Sequence, residues 1–215
     1  MKVLSLEAPR ALEETINVLQ HGGVVAFPTD TVYGIGASLR HPDALARIYT
    51  IKGRESAKPL PVLLSSIDRI SVVAEPPDAR VRALLREFWP GGLTIALPAR
   101  SGIPREVVHQ DGTVGVRIPD HSIALMLCER AGGALATTSA NRSGEPPACS
   151  ADEIATQLDD GIDVVLHGGY APCGAPSTVI RIDDARIAVI RHGSVDPERI
   201  QKVWDRIIAE HEALR

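Results

Sequence analysis

Apolar positions along the 215-residue chain change period several times, and each change marks an expected element. Pro9 opens a helical pattern carried by Leu12, Ile16 and Leu19 and closed by Gly22-Gly23. Val24–Phe27 follows as an unbroken apolar run of strand length. Pro42 starts a second helix with Leu45, Ile48 and Tyr49, which delivers the chain to Lys52. Leu60–Leu64 reads as a strand, and Pro77 starts a third helix through Val81, Leu84, Leu85 and Phe88, ended by Trp89-Pro90-Gly91-Gly92. Strands are then expected at Leu93–Leu97 and Thr113–Ile118, a helix over Ser122–Arg130, and a strand at Ala134–Thr137. Ser150 and Glu153 have the spacing of a capping box, which predicts a helix with Ile154 and Leu158. Ile162–Leu166, Thr178–Ile182 and Ile187–Ile190 read as strands, and Asp196-Pro197 caps a last helix with Ile200, Val203, Trp204, Ile207 and Ile208.

Helices and strands alternate early, and strands cluster late. That order predicts an α/β domain with a mixed sheet rather than a pure βαβ winding. Residues 9–195 form the expected single domain, with 196–215 a C-terminal helix packed on it. The Gly/Pro-rich stretch Gly168–Pro176 lies between two strands and reads as a loop over a site.

Composition narrows the classes. Hydrophobic residues make up 44% and charged residues 23%, as in ordinary globular domains, while aromatics are only 3%, so the core must be built from Val, Ile, Leu and Ala. A net charge of −4 argues against a general nucleic-acid coat protein but leaves room for a local basic pocket. No apolar run has the length of a membrane span, and the N-terminus lacks the pattern of a signal peptide. Cys128, Cys149 and Cys173 are odd in number and widely spaced, so neither a disulfide framework nor a zinc site is expected, and a reducing cytoplasm fits. The seven histidines show no metal-ligand spacing, and no Ser/His/Asp arrangement is signalled.

The candidate chemistry is cationic and hydroxylic. Thr29-Asp30-Thr31 leaves an apolar strand and is followed by Tyr33-Gly34-Ile35-Gly36, which reads either as a turn holding a small polar ligand or as an ordinary Asx-type exit. Lys52 and Arg54 flank a glycine after a helix, as a phosphate site would need. Arg117 interrupts an apolar strand and must find an anion, either a ligand or a structural salt-bridge partner, or reach solvent at the strand end. Ser139 and Asn141 offer groups suited to phosphate or ribose, or to capping. Ser177-Thr178 is a second hydroxyl clamp or plain strand edge, and Arg191 repeats the cation at a strand end. Cations and hydroxyls without a nucleophile describe a phosphate- or nucleotide-binding domain working by positioning and charge neutralisation.

At these residues the chain resembles the YrdC-like family of threonylcarbamoyl-AMP synthases. The matching pieces are Pro28–Gly34, Lys52-Gly53-Arg54, Lys58-Pro59-Leu60, Trp89–Thr94, Val116–Pro119, Thr138–Gly144 and Pro176–Val179, in the family's order. The resemblance implies a YrdC-like domain whose twisted mixed sheet and flanking helices surround a concave, locally basic cavity. It implies adenylyl transfer from ATP to the carbamate of L-threonine and bicarbonate or CO₂, with Mg²⁺ carried by ATP and no metal held by protein side chains. Lys52 and Arg54 would be catalytic. ATP would meet Lys52, Arg54, Lys58, Thr94, Ser139, Asn141 and Arg191, and threonine would meet Thr31, Arg117 and Thr178. Partner proteins of tRNA modification would consume the adenylate; direct tRNA binding is left open and no membrane is involved. Glu55, Lys58, Leu63 and Gly92 depart from the family's usual residues, and the extra C-terminal domain of longer relatives is not expected. Two alternatives stay open: a non-catalytic RNA-binding module, and a paralogue forming a different carbamoyl or acyl adenylate.

Overall fold

The computed structural model describes residues 1–53, 58–158 and 161–213. Its strands are β1 (Lys2–Ser5), β2 (Val25–Phe27), β3 (Gly34–Ser38), β4 (Val62–Leu64), β5 (Leu93–Pro98), β6 (Thr113–Arg117), β7 (Ala134–Ser139), β8 (Val164–His167), β9 (Thr178–Asp183) and β10 (Arg186–Arg191). Its α-helices are α1 (Ala11–Gln20), α2 (Pro42–Lys52), α3 (Ala79–Phe88), α4 (Ser122–Arg130), α5 (Ala151–Gln157) and α6 (Pro197–Glu212). The strands form one mixed sheet, ordered β1-β8-β2-β3-β7-β4-β6-β5-β9-β10. The fold is a mixed α/β sheet with flanking helices. No helix among the described residues is long and apolar enough to cross a membrane.

Local chemistry sets the helix ends. Asp78 and Ser150 cap α3 and α5 by accepting from the backbone N–H of Val81 (2.9 Å) and Glu153 (3.2 Å). In α6 Asp196 accepts from Glu198 N–H and Pro197 opens the first turn. α2 stops where Gly53 takes a φ of +55°.

Period-two alternation then divides the core. Val25, Phe27, Leu63, Leu135, Val164 and Leu166 point to the face packed by α1 and α4. Their neighbours Val24, Ala26, Val62, Leu64, Ala134, Ala136 and Val165 point to the opposite face, packed by α2, α3, α5 and α6. In α6 Ile200, Trp204 and Ile207 are buried, and Arg206 pairs with Glu87 of α3 at 2.7 Å.

Two strands differ from the sequence expectation. β1 lies before Pro9, pairs in parallel with β8 and is mostly exposed, so no apolar rhythm announces it. Gly34-Ile35-Gly36, which the sequence leaves as part of either a ligand-holding turn or an ordinary strand exit, is the start of β3, hydrogen-bonded between β2 and β7 at the centre of the sheet. Its glycines serve close packing. A Cβ on Gly36 would stand 2.9 Å from the Ala136 carbonyl oxygen and 3.3 Å from the Phe27 ring.

Gly36→Val should therefore lower stability by about 2–3 kcal/mol, read from the urea midpoint, through overpacking between β3 and β7. A neutral effect would mean that this close approach is absent.

Candidate active site

The strand registers carry one set of side chains across the sheet face shared with α1 and α4. Ser139 is opposite Gly34, Thr137 opposite Gly36, Leu63 opposite both Leu135 and Arg117, and Val179 opposite both Thr94 and Arg191. Beyond the area those helices cover, this face is hollowed into a cavity lined by Thr31, Leu63, Thr94, Arg117, Ser177 and Arg191, with the segment joining β2 to β3 and the end of β7 completing the wall. Two arginines and eight hydroxyl-bearing residues line it; no Asp or Glu is among the described lining residues.

Arg117 is 6% exposed and its guanidinium is fixed on three sides. Nη2 donates to both carboxylate oxygens of Asp30 at 2.5 Å, Nε donates to the Gly91 carbonyl at 2.8 Å, and Nη1 donates to Thr31 Oγ1 at 3.2 Å. Burial pushes the guanidinium below its ordinary value while Asp30 pulls it back up. The structural-partner reading of Arg117 is thus realised in Asp30, and Arg117 still faces the cavity. Five N–H donors less four bonds leave one Nη1 hydrogen for a ligand. The sequence alone gives Asp30 no role separate from the Thr29-Asp30-Thr31 exit. The need of a buried cation for an anion, beside an aspartate in the Thr29-Asp30-Thr31 exit, was the available signal.

Lys52, which the sequence places beside a glycine after a helix as a phosphate site would need, is instead buried, at 3% exposed. Its ammonium donates to the Ser139 carbonyl, the Asn141 carbonyl (2.7 Å) and Asn141 Oδ1 (3.0 Å). The helix that delivers Lys52 packs into the opposite core, so the side chain meets the end of β7 without lining the cavity. Its three donors hold Ser139 and Asn141 in place. Asn141 is likewise committed, accepting from Ser139 Oγ at 2.6 Å and donating to the Arg142 and Glu145 carbonyls. Arg54 and Glu55 lie outside the described residues. Lys58 is exposed and does not line the cavity.

At the other end, Thr94 Oγ1 is 2.8 Å from Ser177 Oγ, which accepts from Arg191 Nη2 at 3.0 Å. Arg191 reaches this face because β10 bulges between Val189 and Arg191, bringing Arg191 rather than Ile190 opposite Val179. Thr178 needs a correction. One residue out of phase with Ser177, it turns to the opposite face, where its hydroxyl donates to the Val195 carbonyl (2.6 Å) and accepts from Val195 N–H (3.0 Å). Ser177 takes its place in the cavity wall.

The Gly168–Pro176 loop is fastened to the same wall. Tyr33, buried at the cavity, donates its hydroxyl hydrogen to the Gly169 carbonyl (2.7 Å) and accepts from Gly168 N–H (3.1 Å). Cys149 and Cys173 are joined as a disulfide with Cα atoms 5.4 Å apart. The sequence expectation of no disulfide framework is corrected at this one pair, because a 24-residue separation closes when α5 and β8 return the chain to its start.

A family model described as telomere recombination, that of Sua5, YciO and YrdC, matches residues 17–193. The chain belongs to the Sua5/YciO/YrdC family. Among relatives, a threonylcarbamoyl-AMP synthase of Bacillus subtilis is 36% identical over 93% of this chain and 58% of its own length. Another, of Coxiella burnetii, is 32% identical over 79% of this chain and 91% of its own length. The crystal structure of Pyrococcus abyssi Sua5 complexed with L-threonine superposes with a TM-score of 0.86 and 34% identity, over 94% of this chain and 60% of that one. The chain thus spans little more than half the length of the Bacillus and Pyrococcus proteins. The Sua5/YciO/YrdC match covers β2 through β10, which includes every strand that lines the cavity.

Two outcomes follow from the Arg117 cluster. Asp30→Ala leaves a buried guanidinium without its counter-ion and should cost about 3–5 kcal/mol, most of it recovered when Arg117→Leu is added. Urea titration of the single and double variants checks this; additive losses would contradict the pairing. His121, beside Asp30 and Asp120, is held by burial below its ordinary value of 6.5 against the pull of both carboxylates, and its Nδ1 is buried with no hydrogen-bond partner among the described residues. The unfolded chain takes up a proton that the native state refuses, so stability should fall as pH drops below 6.5. His121→Gln should flatten that part of the pH profile.

Proposed function

We propose that this chain is a threonylcarbamoyl-AMP synthase, joining L-threonine, bicarbonate or CO₂ and ATP into L-threonylcarbamoyladenylate and pyrophosphate. The observation that carries the reading is the cavity wall itself: two arginines at opposite ends, hydroxyls between them and no carboxylate among the described lining residues. Such a wall receives two anions at once, and a carboxylate and a polyphosphate are the two anions this reaction brings together. The names of the Bacillus and Coxiella relatives and the threonine complex of the Pyrococcus protein support the same assignment.

In this reading the threonine carboxylate takes the remaining Nη1 hydrogen of Arg117, and the amino-acid hydroxyl lies near Thr31. The phosphates run toward Ser139, Thr94 and Arg191. A carbamate oxygen of the amino acid attacks the α-phosphorus, the bond to the β-phosphate oxygen breaks, and pyrophosphate carries the charge away. The chain supplies orientation: Asp30, Gly91 and Thr31 fix Arg117, and Lys52 fixes the Ser139–Asn141 turn. Lys52 is therefore assigned to positioning, with contact to phosphate requiring it to leave oxygens it now holds. Mg²⁺ would be carried by the phosphates of ATP and would help neutralise the charge on departing pyrophosphate. Among the described residues, no group of three His, Cys, Asp or Glu is placed to hold an ion. The adenylate would pass to proteins that modify tRNA in the cytoplasm.

Purified protein with ATP and bicarbonate should release pyrophosphate only when L-threonine is added. Release independent of threonine, or equal release with other amino acids, would overturn the assignment. Arg117→Lys, which keeps a cation beside Asp30 but loses the planar fork, should raise the KM for threonine about tenfold while leaving that for ATP within about threefold.

A further inference from the structure

Cys149 sits in a rigid frame. Ala148, before it, donates its N–H to the Ala140 carbonyl at 3.0 Å and accepts from Tyr33 N–H at 3.0 Å. Cys149 N–H itself donates to Glu153 Oε2 at 2.8 Å. Cys173 is its opposite: an exposed residue in the Gly168–Pro176 loop, held at a φ of +52°, where an L side chain is disfavoured. Between Tyr33's hold on Gly168 and Gly169 and Ser194's N–H on the Pro176 carbonyl, this loop has two fastenings among the described residues. One is Ala171 N–H donating to the Cys149 carbonyl at 2.8 Å, and the other is the Cys149–Cys173 disulfide. Just beyond it, Pro176 and Ser177 form part of the cavity wall.

We propose that Cys149 and Cys173 are a redox-modification site, exchanging with low-molecular-weight thiols and disulfides of the glutathione class, and that the bond clamps the loop against the cavity. A small thiolate attacks the Sγ of Cys173, the more exposed of the two residues. The Cys149–Cys173 bond breaks as the mixed disulfide forms, and Cys149 leaves as a thiolate that takes a proton. An acceptor for that thiol is already in place, the Pro147 carbonyl, 3.6 Å from Cys149 Sγ. A second small thiol then releases Cys173, so two thiols are oxidised to one small disulfide as the protein gains two electrons and two protons. Once freed, Cys173 can leave its left-handed backbone conformation, and residues 172–175 keep no hydrogen bond of their own among the described residues. Cys128 takes no part, being fully buried, with burial pushing its thiol far above the ordinary range.

The test uses the whole chain equilibrated across ratios of reduced to oxidised glutathione, with thiols tagged by maleimide and counted by mass. Two thiols should become protected together as the ratio turns oxidising, while Cys128 is tagged only after denaturation. Tyr170, 82% exposed at the root of the clamped segment, offers a chymotrypsin site. Cleavage there should be at least tenfold faster in the reduced protein, and equally fast in reduced wild type and Cys173→Ser. Two accessible thiols under oxidising conditions, or cleavage indifferent to redox state, would overturn the proposal. The clamp on the cavity rests on the synthase reading: reduction should raise the threonine KM at least threefold in wild type and leave Cys149→Ser/Cys173→Ser unchanged. A KM blind to redox state would refute the clamp, whereas absence of threonine-dependent turnover in both states would refute the synthase reading and leave the exchange chemistry to be judged by tagging and cleavage.

Discussion

The alternation of side chains across a hydrogen-bonded sheet is the constraint on which everything else here depends. From β3 to β10 the registers keep one set of residues on one face, and where α1 and α4 stop covering that face the set changes from Leu and Phe to Thr, Ser and Arg. The same rule that builds the core thus builds the cavity. A single bulge in β10 adjusts it, substituting Arg191 for Ile190 on the cavity side. A charged residue in place of an apolar one at that point decides whether the far end of the cavity can hold an anion.

Two buried cations show how such a surface is kept in shape. Arg117 and Lys52 would each be costly to bury alone, and each is surrounded by oxygens: a carboxylate, a carbonyl and a hydroxyl for Arg117, two carbonyls and an amide oxygen for Lys52. These bonds tie loops from distant parts of the chain to the ends of β6 and β7. The β2–β3 exit, the turn at Gly91 and the Ser139–Asn141 turn are held by one cation or the other. Preorganisation of this kind suits a reaction in which the protein contributes no nucleophile and two anionic substrates must meet in one orientation.

The helices were legible in the sequence because caps and apolar spacing are local: Asp78, Ser150 and Asp196 act on N–H groups two or three residues away. Most strands were legible as apolar runs. β1 was not, since it is exposed, and β3 was not, since its glycines answer to β7, a hundred residues on. The candidate site was legible as a list of residues and not as an arrangement. Thr31, Thr94, Arg117, Ser139 and Arg191 meet at one cavity, but Thr178 falls on the wrong face by a single residue of phase. The burial of Lys52 depends on main-chain carbonyls, which no side-chain pattern displays. Asp30 and the Cys149–Cys173 pair depend on contacts that only the closed fold makes.

Under the proposed function, one uncovered stretch of sheet, between Arg117 and Arg191, holds an amino acid and a nucleotide together. The most direct test of this is a crystal structure of this chain with L-threonine and a non-hydrolysable ATP analogue. The threonine carboxylate is expected within hydrogen-bonding distance of Arg117 Nη1 and the phosphates between Ser139 and Arg191, with Lys52 still on the Ser139 and Asn141 oxygens. Either ligand bound away from that face, or a threonine carboxylate that leaves Arg117 untouched, would contradict it.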